Sequence, residues 1–207
     1  MRRVSVPSQS GSSTMLTVLG LSLALTGVTL ATTACGGQHP TSSATVAQSA
    51  VERGAYLVSI GGCNDCHTPL KMGENGPEPD TSRLLSGHPE DFPPVAQAQL
   101  SGAWQWAGTG TMTAFSGPWG ISFAANLTPD EETGLGVFTE QTFIAAMRSG
   151  KHMGAGRPLL PPMPWQSCAH MTDEDLKAVY AYLRSIPPIH NQVPDPIPPP
   201  AAPTGAS

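Results

Sequence analysis

The chain has 207 residues, of which 12% are charged, with a net charge of −5. An acidic surface of low charge density excludes nucleic acid and anionic headgroups as natural partners. Glycine and proline number 22 each, more than a dense helical bundle carries, so one loop-rich domain is expected behind an N-terminal export segment.

The chain opens with Arg2 and Arg3, followed by an uncharged stretch from Met15 to Ala34. A basic start and an apolar run are the outline of a secretion signal, so residues 1–34 are read as a signal peptide. Cys35 follows the small residues Thr32, Thr33 and Ala34 and precedes Gly36-Gly37. That context has the form of a bacterial lipoprotein cleavage site, although Thr32 stands where leucine is usual. Lipidation of Cys35 would anchor the mature chain in a bacterial membrane on the extracytoplasmic side. Plain cleavage and an uncleaved membrane helix stay open, since twenty uncharged residues are long enough to span a bilayer. Residues 35–47 are read as a flexible tether from their Gly, Ser, Thr and Gln content.

Apolar positions 51, 55 and 58 recur at helical spacing up to Gly61-Gly62, predicting a short helix. Gly54 lies inside it at a cost of about 1 kcal/mol relative to alanine, which points to close approach of a second helix. Cys63-Asn64-Asp65-Cys66-His67 follows immediately. Two thiols three positions apart with an adjacent imidazole fit covalent attachment of one c-type haem. Cys63 and Cys66 would add to the vinyl groups, and His67 would be the proximal iron ligand. A redox dithiol needs no histidine there, and a zinc site needs further ligands that no second Cys-x-x-Cys supplies.

Residues 70–125 form a long Gly/Pro-rich stretch holding Phe92, Trp104, Trp106, Phe115, Trp119 and Phe123. A loop of that length packs on the core or serves function, and water exclusion over the haem face is the expected role. Partner docking at the haem edge is the rival. His88, His152 and His170 are read as surface or structural histidines rather than ligands. Thr139 is expected to cap a third helix ending at Gly150, with Phe143, Ala146 and Met147 facing inward.

Leu160-Pro161-Pro162-Met163-Pro164-Trp165 offers the sixth ligand. A thioether is soft and neutral and favours ferrous iron, and flanking prolines would hold Met163 with little freedom. Met153 and Met171 are the serious rivals, and filling a core gap is the ordinary role of a methionine. Cys168 has no partner once Cys63 and Cys66 carry haem and Cys35 carries lipid, so it reads as a buried inert thiol. From Thr172 to Ser185 a capped helix follows, with three acids in its first turn and a Leu176, Val179, Tyr180, Leu183 stripe. Residues 191–207 are Pro-rich and read as a disordered tail.

The CNDCHTP motif, the PPMPW loop and the TDEDLKAVYAYLRSIPP helix together resemble bacterial monohaem c-type cytochromes of the class I type. Asn126-Leu127-Thr128-Pro129-Asp130 and Glu132 to Gly136 are also similar to that group, notably to modules that serve as cytochrome subunits of periplasmic dehydrogenases. The resemblance spans about residues 48–190, read as the cytochrome c domain. It implies an all-α fold around one covalent haem, interrupted here by the 70–125 insertion. It also implies a one-electron carrier rather than an enzyme, with roles carried onto Cys63, Cys66, His67 and Met163. Partners would be a redox protein donor and acceptor and, through the anchor, the membrane, with no small-molecule substrate. The alternatives are a haem-c subunit of a periplasmic dehydrogenase complex, and a haem enzyme or gas sensor whose sixth ligand is displaceable.

Overall fold

A computed structural model describes residues 48–201 of the chain. The signal segment, Cys35, the tether and residues 202–207 lie outside the described residues.

Helix α1 spans Ala50–Ile60. Its first turn is closed by a capping box, in which Ser49 Oγ accepts from the Glu52 amide at 3.2 Å and Glu52 accepts from the Ser49 amide at 2.9 Å. It stops at Gly61-Gly62, and Gly62 takes the left-handed conformation (φ 68°) that starts the next turn. Helix α2, Cys63–His67, follows at once.

The last helix, α5, spans Asp173–Ser185 and is capped by Thr172, whose hydroxyl accepts from the Asp175 amide at 3.1 Å. Its apolar stripe buries Leu176, Ala178, Val179 and Leu183 against Leu57 and Val58 of α1. The two helices meet at Gly54, as its place in the sequence predicts. A Cβ there would fall on the Ala178 carbonyl oxygen and within 2.7 Å of Tyr182 Cβ. Arg53 Nε and Asp175 Oδ1 close the crossing at 3.0 Å. Helix α3, Glu140–Ser149, is capped by Thr139 and ends at Gly150 (φ 66°), burying Phe143 in the same core and Ala146 beside it on the helix. A single turn, α4, covers Trp165–Cys168.

The expectation of an all-α fold is overturned. Among the described residues, five α-helices are accompanied by two small antiparallel sheets, and every strand lies within residues 70–125. Strands β1 (Leu70–Gly73) and β2 (Gly76–Pro79) form a hairpin across the two-residue loop Glu74-Asn75. Strands β3 (Ala107–Gly108), β4 (Ala114–Gly117) and β5 (Gly120–Phe123) form a three-stranded sheet, with Pro118-Trp119 turning the second hairpin. The physical reason is backbone satisfaction. A segment too rich in Gly and Pro to hold a helix still has buried amides and carbonyls, and hairpins pair them locally. Asn75-Gly76 is itself a turn signal, here lying at the loop's end with Gly76 already in β2.

The three-stranded sheet also receives the chain beyond α5. Ile197 exchanges both backbone hydrogen bonds with Ile121, at 2.8 and 2.9 Å. Asn191 is buried and bridges the 86–90 segment, its Nδ2 donating to the carbonyls of Ser86 (2.7 Å) and His88 (2.9 Å). Its Oδ1 accepts from the Glu90 amide at 2.9 Å. Among the described residues no helix is long and apolar enough to cross a membrane.

Candidate haem-attachment site

Cys63, Cys66 and His67 lie together on α2, with the two thiols three positions apart and so roughly one turn from each other. Burial pushes the Cys63 thiol up to about 11, with the nearby Cys168 adding to the shift. Cys66 is also raised, first by burial and then by Asp65. Both are therefore neutral thiols at physiological pH, the state in which a sulfur and its hydrogen add together across a carbon–carbon double bond.

His67 is buried, and its Nδ1 lies 2.7 Å from the carbonyl oxygen of Ala125. A carbonyl can only accept, so Nδ1 carries the proton. Burial lowers the His67 pKa and keeps the ring neutral, with the Ala125 contact opposing the shift. In that tautomer Nε2 keeps its lone pair, which is the arrangement a metal-binding histidine needs. The donor set thus fits a covalent haem: two sulfurs on one turn and one imidazole oriented through its remote nitrogen.

The partners of His67 come from a part of the chain that reads in sequence only as an insertion. The Gly87 amide donates to the His67 carbonyl at 2.8 Å, and the His88 amide donates to Ala124 at 2.9 Å. Gly87 has φ 81°, and a Cβ there would sit on the Ala124 carbonyl oxygen and 2.7 Å from that of Ala125. Only glycine lets the 85–88 segment lie this close to 124–125, so the glycine and the imidazole depend on the same stretch of backbone. Ala125 acts through its carbonyl and leaves no side-chain signature in the sequence. Gly87 is the one residue whose type hints at that close approach.

Met163 is half-buried in the turn between Leu160 and α4, its amide donating to Leu160 at 3.3 Å. That turn is tied to β5 by the Ser122 hydroxyl, which donates to the Pro161 carbonyl at 2.6 Å. Trp165 packs its indole on Gly150 at the end of α3. The rival methionines sit differently. Met171 and Met147 pack against the helical core, Met153 is exposed with a left-handed backbone (φ 51°), and Met72 is 77% exposed. Cys168 is half-buried at the end of α4, and burial raises its pKa.

The histidines fall into two kinds. His88 is buried, its Nδ1 lies 2.8 Å from Thr113 Oγ1, and its ring packs on Phe92 and Phe123. His152 and His170 are exposed. Of the aromatic residues of the insertion, Phe115 is buried in the sheet whereas Trp104 and Trp106 face solvent. Cys35 lies outside the described residues.

No family model matches the chain. Several curated proteins do. It is 31% identical over 144 residues, 70% of its length, to a subunit of the nicotinate dehydrogenase of Pseudomonas putida, of which the match covers 9%. It is 31% identical over 132 residues to the gluconate 2-dehydrogenase cytochrome c subunit of Pantoea cypripedii, covering 64% of this chain and 22% of that one. The fructose dehydrogenase cytochrome subunit of Gluconobacter japonicus is 29% identical over 133 residues, 64% of this chain and 20% of that protein. The chain thus spans less than a quarter of the length of these relatives.

Proposed function

We propose that this bacterial c-type cytochrome is a one-electron carrier holding a single covalent haem on Cys63 and Cys66, with His67 and Met163 as axial ligands. The observation that carries the reading is the hydrogen bond from His67 Nδ1 to the Ala125 carbonyl at 2.7 Å, on the same helical turn as both thiols. The haem supplies reversible one-electron chemistry when bound.

The protein's own part is fixation. Cys63 and Cys66 make the attachment irreversible, the Ala125 carbonyl holds the His67 ring in one orientation, and the proline-flanked turn limits the travel of Met163. Were His67 and Met163 to hold the iron in both oxidation states, little of the protein would need to rearrange on transfer. The similarity to cytochrome subunits of dehydrogenases supports a redox protein as donor, with the chain working as a subunit or close partner of such an enzyme rather than as a catalyst. Export behind residues 1–34 and lipid anchoring at Cys35 complete the proposal and would keep the domain near membrane partners.

The test is spectroscopic. Purified from a host that matures c-type haem, the protein should contain one haem per chain, and ferric protein should show the sulfur-to-iron charge-transfer band at the red end. A ratio of two, or a spectrum of an open or bis-histidine haem, would reject the reading. For the anchor, mass spectrometry of the membrane fraction should find an acylated Cys35 at the N-terminus, and an unmodified start elsewhere rejects it.

A further inference from the structure

Strand β5 and the residues directly after it touch both sides of the site. At one end the Ser122 hydroxyl donates to the Pro161 carbonyl, two residues before Met163, at 2.6 Å. Three residues on, the Ala125 carbonyl accepts from His67 Nδ1 at 2.7 Å. The two contact points are therefore no more than about 10 Å apart along the chain.

We infer that Ser122 is a positioning residue for Met163, and that the Gly120–Ala125 run acts as a brace fixing the spacing between the two axial ligands. The inference rests on the His67/Met163 reading above. Ser122 is 6% exposed, so its hydroxyl has little access to water as an alternative partner. It has one proton and two carbonyls in reach, Pro161 at 2.6 Å and Phe115 at 3.4 Å, and the shorter contact takes the proton. The Trp119 indole donates to the same oxygen at 3.2 Å, which uses a lone pair and further directs the hydroxyl proton toward Pro161.

The far end of the run is equally constrained. The Ala124 amide donates to Thr113 at 2.8 Å and the Ala124 carbonyl accepts from His88 at 2.9 Å. Displacing Pro161 therefore means breaking a short, part-buried hydrogen bond to a strand that cannot follow. The residue acts on Met163 through the loop backbone, by its bond to Pro161 two residues away.

Ferric holoprotein is titrated with imidazole while the sulfur-to-iron band is followed, in wild type, Ser122→Ala and Ser122→Thr. Loss of one hydrogen bond, about 1 kcal/mol net, should raise the apparent imidazole affinity of Ser122→Ala about five- to tenfold. Ser122→Thr, which keeps the hydroxyl, should stay within about twofold of wild type. Gly54→Ala is the control for general loosening: it lowers stability at the α1–α5 crossing, away from the Gly120–Ala125 run, and should leave the imidazole affinity within about twofold. If Ser122→Ala does not fold, Ser122→Cys keeps the bulk with a weak donor and should show the same direction. Equal affinity in wild type and Ser122→Ala, or an equal rise in Gly54→Ala, overturns the positioning role. A band that survives in Met163→Ala instead overturns the choice of ligand, so the two failures are told apart.

Discussion

Gly54 lies so close to Ala178 that the first and last helices share backbone-to-backbone contact at their crossing. Two effects compete when a methyl is added there. Alanine is the better helix former by about 1 kcal/mol. The new Cβ would meet a carbonyl oxygen, which belongs to a packed helix and cannot rotate away, and overpacking of that kind costs about 1–3 kcal/mol or more. The clash wins. Gly54→Ala should lower the urea midpoint of the holoprotein without changing the haem spectrum at low urea.

Met163→Ala should open the sixth position. Because a thioether favours ferrous iron, the reduction potential should fall by about 0.1 V or more, within the ~0.8 V that axial ligands span. Redox titration and the loss of the red-end band check this together. Retention of the band in this variant, with its loss in Met171→Ala or Met153→Ala, would transfer the role to that methionine.

The helical part of the fold was legible because it depends on local signals. Thr172, Thr139 and the Gly61-Gly62 pair announce their helix ends through caps and left-handed glycines, and Gly54 announces a crossing. The thiols and His67 were legible from spacing alone. The sheets were less so, although Asn75-Gly76 and Gly117-Pro118 are turn signals set in a stretch otherwise read as loop. What no pattern could give is a backbone acceptor. Any residue at position 125 offers the same carbonyl, so the partner of His67 emerges only from the three-dimensional path. Ser122 is hidden for a related reason, since one serine among several has no distinguishing spacing.

His88 should make stability depend on pH. Burial holds its pKa below the usual 6.5, so the folded state resists a proton that the unfolded chain accepts. Its contribution is complete above about pH 6.5 and is lost as pH falls through the folded-state value. The carboxylates Asp80, Asp91 and Asp130 are held below 3.8 by their hydrogen bonds and ion-pair partners, so their losses come at lower pH. Urea midpoints between pH 7.5 and 5 should decline in the wild type and decline less steeply in His88→Gln. Parallel slopes would mean the ring does not titrate differently on folding.

Asn191→Ala should be among the most damaging polar substitutions. The side chain satisfies three backbone groups, at Ser86, His88 and Glu90, in a site that is 6% exposed. Stranding buried carbonyls and an amide should cost about 2–3 kcal/mol. Thermal melting of the holoprotein measures it, and a loss under about 0.5 kcal/mol would show that water replaces the amide.

The pairing of α1 with α5, and of Ile121 with Ile197, has a consequence in time. On the proposed export route the chain crosses the membrane from its N-terminal end, so Cys63, Cys66 and His67 emerge early while the helix that packs over α1 emerges late. Until α5 follows, the thiols belong to a chain whose closing partners have not yet arrived. Attachment of a rigid planar group is easiest in that interval, before the core has set. The order of the letters thus doubles as a schedule, with the reactive motif first and the lock last.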